Sequence, residues 1–228
     1  VGELFGLMPL RQTTRAGRAA IALVLTYAVG LVGLSVPATR ALFQMITPVH
    51  LLLSLVLLAA TSPALRDPVR RVPTLGVWLV IALAAYGIEV IGVQTGLIFG
   101  SYTYGWVLGP QVLQTPLMIG VNWLLLVVAG SSLVATWGLR GFGAVLATAL
   151  MLVGVDALME PVAMALEFWH WPGGHVPLQN YVGWFLVALV LCSLFQRASR
   201  AEAHPLAGVL LCCQAVFFGV LRLTLAVV

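Results

Sequence analysis

The chain has 228 residues, of which 61% are apolar and 8% charged, with 11 basic against 7 acidic side chains and a formal net charge of +4. About a quarter of the residues of a soluble domain are charged, and that charged skin keeps it dispersed. The composition therefore excludes a water-soluble globular fold. The small basic excess lies in short segments, which points to membrane topology rather than nucleic-acid binding.

Every basic residue is Arg, so the absence of Lys excludes Schiff-base chemistry, including a retinal-type pigment. The stretch Val1 to Arg18 does not read as a cleavable signal, because Arg11, Arg15 and Arg18 lead into a full-length span with no small-residue cleavage site. A membrane-crossing helix needs about 20 apolar residues. Seven such stretches follow in chain order: Ala19–Val36, Leu42–Ala60, Leu75–Val93, Pro116–Trp137, Phe142–Met164, Tyr181–Phe195 and Pro205–Val227. The sixth is short. Pro37, Pro63, Pro73, Pro116 and Pro205 are expected at helix edges, where a missing N–H does least harm. The expected fold is an all-α, polytopic membrane bundle of about seven transmembrane helices, with 1–228 forming a single transmembrane domain.

Arg sets the expected orientation. With the N-terminus cytoplasmic, the inner segments hold Arg11, Arg15, Arg18, Arg66, Arg70, Arg71, Arg140, Arg197 and Arg200. The outer loops then hold Arg40 alone, and Arg222 lies near the outer end of the last span. Cys192, Cys212 and Cys213 sit in apolar runs without a C-x-x-C pattern, so they read as inert thiols rather than disulfide or zinc ligands.

Two outer segments depart from ordinary loops. Gln94–Thr115 carries Phe99, Tyr102, Tyr104 and Trp106 among four glycines, and Glu167–Asn180 carries Trp169, His170, Trp171 and His175. One reading is an aromatic belt at the headgroups. The other is a half-buried wall over a cavity, since non-helical backbone at membrane depth must be shielded from lipid.

Ionisable groups inside spans are costly, and each is a functional candidate. At a rise of about 1.5 Å per residue, Glu89 and Asp156 each lie about 21 Å from the inner ends of their spans. Asn122 lies about 9 Å and His50 about 12 Å below the outer ends of theirs. All four fall near one plane in the outer third of the hydrocarbon. Glu160 follows Asp156 at i+4 and shares its helix face. Glu167 would extend that face if the helix continued past Pro161, and Tyr86, one turn before Glu89, is placed to donate to it. Taken singly, His50 reads as a satisfied buried histidine and Asn122 as interhelical glue. Glu89, Asp156 and Glu160 resist that reading, because almost no basic residue shares their depth. Crowded in one apolar layer, at least one should stay protonated near neutral pH.

A neutral carboxylic acid in a dry site can donate a proton, and aromatic faces can stabilise a developing cation. These parts suit acid-catalysed chemistry on an alkene that arrives from the lipid. P-loop, G-x-S-x-G and H-E-x-x-H motifs are all missing from the sequence. The strings Gly96-Leu-Ile-Phe-Gly-Ser-Tyr-Thr-Tyr-Gly105, Pro116-Leu-Met-Ile-Gly-Val-Asn-Trp123, Asp156-Ala-Leu-Met-Glu-Pro-Val-Ala163 and Asn180-Tyr-Val-Gly-Trp-Phe185, in this order, resemble the CruF-type membrane carotenoid hydratases. The likeness runs from about Glu89 to Phe185. It implies addition of water across the terminal double bond of a carotenoid ψ-end, giving a tertiary alcohol. The implied partners are a carotenoid from the lipid phase, membrane lipids and other carotenoid-pathway enzymes, in the cell membrane. Hydration changes no oxidation state, so no metal or other cofactor is expected.

On this reading Asp156 is the proton donor, held neutral by burial and by Glu160. Glu89 or Glu160 positions the water and takes its proton. Phe99, Tyr102, Tyr104 or Trp106 would shield the cation. Asn122, Trp123, His50, Asn180, Tyr181 and Trp184 complete the expected substrate-binding set. Three alternatives stay open: a carotenoid cyclase using the same protonation, a polyprenyl transferase, and a proton-coupled transporter or pigment-binding scaffold. The Asp156-x-x-x-Glu160 spacing is the only hint of a transferase, and no repeat symmetry supports a transporter.

Overall fold

The structure is a computed structural model that describes residues 14–199 and 203–225. Arg11, Arg200, the reading of the segment ahead of Thr14 and the last residues of the seventh expected span lie outside the described residues.

The described chain is helical apart from its connecting segments. In order it forms α1 (Arg15–Ser35), α2 (Pro37–Met45), α3 (Thr47–Thr61), α4 (Pro63–Arg66) and α5 (Pro68–Thr95). Three two-residue strands follow: β1 (Thr103–Tyr104), β2 (Gln111–Val112) and β3 (Thr115–Pro116). Next come α6 (Met118–Thr136), α7 (Gly141–Ala165), β4 (Trp169–His170), a 3₁₀ turn at Pro172–Gly174, α8 (Leu178–Ser199) and α9 (Ala207–Thr224). Local chemistry sets many of these limits. Thr14 caps α1 by accepting from the Gly17 N–H, and Asp67 caps α5 by accepting from Val69. Pro37, Pro63 and Pro68 open α2, α4 and α5, where no intrahelical N–H is needed. Gly96 ends α5 in the left-handed conformation.

Among the described residues, six helices are long and apolar enough to cross a membrane, and α2 with α3 makes a seventh crossing bent by 56°. The second span is therefore broken at Ile46 rather than continuous over Leu42–Ala60. Pro48, in the first turn of α3, has no N–H for the Gln44 carbonyl. Next to it, the Thr47 hydroxyl donates to the Phe43 carbonyl at 3.0 Å. Two other limits differ from expectation. α5 runs straight through Pro73, which lies close enough to the helix start for its lost bond to face the Arg-rich end. α8 extends from Leu178 to Ser199, so the sixth crossing is full length. Its polar first turn, Gln179 and Asn180, hid the start from an apolar reading.

α6 is the axis of the bundle. In its most apolar stretch 78% of residues are buried inside the protein, against 28–44% in the other long helices, whose remaining faces are apolar and suit lipid. α3, α5, α7, α8 and α9 all pack on it. At the end away from the Arg-rich segments, the α5–α6 and α7–α8 connections fold over the helices. β1 and β4 pair antiparallel, with Tyr104 opposite Trp169 and Thr103 opposite His170. Gly105 seals this ribbon: its N–H donates to the Phe168 carbonyl at 2.9 Å, and any Cβ there would collide with the Glu167 carbonyl. The three cysteines are free thiols; Cys192 is buried, Cys212 and Cys213 half-buried.

Candidate active site

The ribbon hangs paired aromatic side chains over two buried glutamates. Side chains two residues apart on an extended strand share a face. Tyr102 and Tyr104 accordingly converge on Glu89, their hydroxyls donating to Oε2 at 2.6 and 3.0 Å. Trp169 and Trp171 converge on Glu160, their indole N–H groups donating to Oε2 at 2.7 and 2.9 Å. Antiparallel pairing stacks the two sets. The rings of Tyr102 and Trp171 lie 4.9 Å apart, and those of Tyr104 and Trp169 lie 6.1 Å apart, edge to face.

Helices supply the remaining donors. Trp123 on α6 donates to Glu89 Oε1 at 2.8 Å and stacks on Trp184 of α8 at 4.2 Å. Asn180, in the first turn of α8, uses a single amide nitrogen twice: Nδ2 donates to Asp156 Oδ2 at 2.8 Å and to Glu160 Oε1 at 3.0 Å. Glu89, Tyr102/Tyr104, Trp171/Trp169, Glu160, Asn180 and Asp156 thus form one connected chain of contacts. All three carboxyls are buried, at 3%, 2% and 0% exposure for Glu89, Glu160 and Asp156. Among the described residues none of the three has a hydrogen-bonded basic partner.

The three groups differ in what surrounds them. Glu89 and Glu160 each accept from three N–H or O–H donors, which is how an ionised carboxylate is satisfied. Asp156 accepts from one donor, and its Oδ1 is buried with no hydrogen-bond partner. Outside the spans, burial and the nearby Glu89 carboxyl push the Tyr102 and Tyr104 phenols well above their ordinary range, so both remain O–H donors.

An apolar cavity of about 370 Å³ lies beside this layer, bounded by α1, the bent α2–α3 pair, α6, α7 and α9. Val155 and Met159, which flank Asp156 and Glu160 on α7, line it, as does Trp169, the donor to Glu160. Leu25 and Val29 of α1 and Val49 and Leu53 of α3 also line it while exposing 37–64% of their surface. The cavity therefore opens sideways towards lipid between α1 and α3. It is closed at the α1–α2 turn, where Gly33 lets the Phe43 ring lie directly on the α1 backbone; a Cβ at Gly33 would overlap that ring.

The structure brings together Asp156, Glu160, Glu89, Tyr102, Tyr104, Trp123, Asn180 and Trp184. Tyr181 is half-buried on the next residue of α8, within electrostatic reach of Asp156 and Glu160. His50 and Asn122 line the cavity instead. Several expectations are corrected. Phe99 is core packing, 1% exposed and seated against Gly92 and Gly183. Trp106 is 49% exposed and donates to Glu167, away from the acid layer. Neither lines the cavity, nor do Tyr102 and Tyr104, which donate to Glu89. Tyr86 donates to the Val112 and Thr115 carbonyls, not to Glu89, because three residues turn a helix by about 300° and leave it on the neighbouring flank. α7 ends at Ala165, so Glu167, at φ +59°, leaves the face of Asp156 and Glu160.

Three site features escaped the sequence reading. Trp169 and Trp171 are read in the sequence as part of a belt or a cavity wall, not as partners of Glu160, although the i, i+2 spacing they share with Tyr102 and Tyr104 is the signal of a common strand face. Gln44, buried at the helix break, donates to the Leu166 carbonyl at 2.8 Å and pins the end of α7. Tyr27 and Gln214 line the cavity with no sequence signal beyond being polar groups in apolar spans.

Comparison with known proteins agrees with this placement. The family described as carotenoid biosynthesis protein matches residues 46–227, which include every carboxyl of the layer. A bisanhydrobacterioruberin hydratase of Haloarcula japonica is 34% identical over 128 residues, covering 50% of this chain and 42% of that relative, so the match spans less than half of the relative's length. No solved structure matches. On the extent of the family match, the chain belongs to the carotenoid biosynthesis protein family.

Proposed function

We propose that this multi-pass membrane protein is a hydratase of the cell membrane, which adds water across the terminal double bond of an acyclic or monocyclic carotenoid ψ-end to give a tertiary alcohol. One observation carries the reading. Three buried carboxyls have no hydrogen-bonded basic partner among the described residues; Asp156 and Glu160 follow directly on Val155 and Met159 in the wall of an apolar cavity open to lipid, and Asp156 has an unpartnered oxygen. The family and the hydratase relative support the same chemistry.

In this mechanism the polyene end enters between α1 and α3. Asp156 is the acid, because Glu89 and Glu160 each accept three hydrogen bonds while its own Oδ1 accepts none. Its proton goes to the less substituted alkene carbon, and the π electrons form that C–H bond. A tertiary cation remains, water adds its oxygen to it, and the proton released passes to the acid layer at Glu160 or Glu89. Trp169, between the cavity and Glu160, is the aromatic face placed to shield the cation.

The test is pigment analysis by mass after expression in hosts making lycopene or bisanhydrobacterioruberin. The wild-type chain should yield products heavier by one water per hydrated end, and Asp156→Asn and Glu160→Gln should yield almost none. A wild-type product of unchanged mass would overturn hydration. Full hydration by both variants at normal protein level would overturn the role given to the acid layer.

A further inference from the structure

The part of the cavity wall formed by α1, α3 and α9 carries polar groups that the mechanism above does not use. Gln214, near the middle of α9, is 4% exposed and lines the cavity, yet its Oε1 has no hydrogen-bond partner. His50 of α3 lines the same cavity, and its Nε2 is likewise buried without a partner. Both residues gather round Tyr27 of α1: the His50 ring meets the Tyr27 ring edge to face at 4.5 Å, and Gln214 lies beside the Tyr27 hydroxyl. The rest of the lining is almost wholly apolar. A buried polar atom left unpaired costs about 1–3 kcal/mol, so two on one wall of a ligand-sized hollow call for a ligand atom that pairs with them.

That atom is constrained by the chemistry of the pair. Gln214 Oε1 can only accept. A ring nitrogen can donate or accept according to its tautomer. A hydroxyl oxygen, which donates once and accepts twice, satisfies both together, whereas a carbonyl cannot serve Gln214 Oε1 and an ammonium cannot serve a donating imidazole. A hydrocarbon leaves both unpaired.

We propose that Gln214 and His50 form a hydroxyl-binding subsite in this cavity, taking the oxygen of an alcohol carried on an isoprenoid chain or the oxygen of water. This deepens the reading above and rests on it for the isoprenoid occupant. Val155 and Met159, each next in sequence to a carboxyl of α7, line the same cavity. A chain in the cavity thus lies near the acid layer behind α7 and against the oxygen-binding pair. If the oxygen is that of water, the pair holds the nucleophile. If it is an alcohol already on the substrate, the pair sets which end of the chain goes deepest.

The experiment measures binding of farnesol and of the hydrocarbon farnesene to the purified full chain in detergent, so it needs no catalysis. Farnesol should bind at least ten-fold more tightly than farnesene. Gln214→Leu and His50→Phe should bring farnesol to the hydrocarbon level and leave farnesene unchanged. Equal affinities in the wild type, or a farnesol preference intact in both variants, would overturn the subsite. Pigment analysis separates the two sources. A water site predicts that Gln214→Leu lowers hydration of unhydroxylated and monohydroxylated carotenoids alike; an alcohol site predicts loss with the hydroxylated one only. A wild type that hydrates neither, while still preferring farnesol, refutes the hydratase reading and supports the subsite.

Discussion

Asn180 is the most exposed joint of the acid layer, in the energetic sense. One amide nitrogen serves both Asp156 Oδ2 at 2.8 Å and Glu160 Oε1 at 3.0 Å. Asn180→Leu keeps roughly the same volume and removes both bonds. A neutral hydrogen bond contributes about 0.5–1.5 kcal/mol and one to a charged group about 1.5–3 kcal/mol, and the carboxyl left behind adds its own desolvation cost. Glu160 keeps its two indole donors, whereas Asp156 has no other hydrogen bond among the described residues, so Asp156 bears most of the loss. Polar contacts between membrane helices measure about 0.6 kcal/mol on average, which lowers the expectation. A loss of about 2–3 kcal/mol is expected in reversible unfolding in mixed micelles. The diagnostic step is the double variant Asn180→Leu/Asp156→Leu. Once the unpaired carboxyl is gone, the buried penalty is gone too, so the double variant should be more stable than Asn180→Leu alone. A double variant whose loss equals or exceeds the sum of the singles would refute the view that Asn180 acts by satisfying a buried acid.

Three further outcomes follow from the same geometry. Tyr102→Phe and Trp123→Phe each remove one donor to Glu89 and should each cost about 1–2 kcal/mol in the same unfolding assay, with the double variant Tyr102→Phe/Trp123→Phe also abolishing pigment conversion. Gly105→Ala places a Cβ against the Glu167 carbonyl, so the β1–β4 ribbon must separate; indole fluorescence should shift to the red as Trp169 and Trp171 are wetted. His204 packs between α9 and α3, its Nδ1 accepting from the Leu206 N–H and its Nε2 donating to the Leu58 carbonyl at 3.0 Å. Burial pulls this imidazole down from 6.5 to about 4. The unfolded chain therefore binds the extra proton first, so stability is flat above about pH 6.5 and falls by on the order of 3 kcal/mol towards pH 4. His204→Asn should flatten that slope in unfolding measured from pH 7 to 4.

Hydropathy made the helices legible, because lipid-facing surfaces must be apolar whatever the function. It failed where polar chemistry served packing. The first turn of α8 looked like loop because Gln179 and Asn180 are polar, yet Gln179 ties to the Gly96 and Leu97 carbonyls and Asn180 to the acids. The break at Ile46 was invisible because Pro48 lies inside an otherwise apolar run, and only its position in the first turn of a second helix makes it tolerable. The acids stood out in sequence because charge inside a span is rare. Their partners did not, since tyrosine and tryptophan near a headgroup are as often belt as wall. Trp106 and Trp171 illustrate the ambiguity: one and two residues from glycines in similar segments, one is exposed on Glu167 and the other buried on Glu160. What separates them is pairing across the β1–β4 ribbon, a contact between segments more than sixty residues apart in the chain.

The ribbon also explains why the acids are divided as they are. A carboxylate in hydrocarbon must be met by donors, and helices have few to give because their N–H groups are spent on one another. An extended segment presents alternate side chains on a single face, so two short strands deliver four donors within a few ångströms. Those four go to Glu89 and Glu160 and none to Asp156. Two acids are thereby fitted to hold negative charge and the third is left as the group fitted to hold a proton. If the protein hydrates an alkene, this asymmetry is the requirement it meets: a proton donor kept beside groups that can receive the proton back. Moving a donor to Asp156 should then damage turnover more than removing one from Glu89, although both changes disturb a single hydrogen bond. Met159→Gln, which sets an amide three residues on along α7 and so beside Asp156 on the helix surface, is the substitution that makes the comparison, with Tyr104→Phe as its counterpart. Equal loss of pigment conversion in the two variants would mean that the uneven sharing of donors has no part in the chemistry.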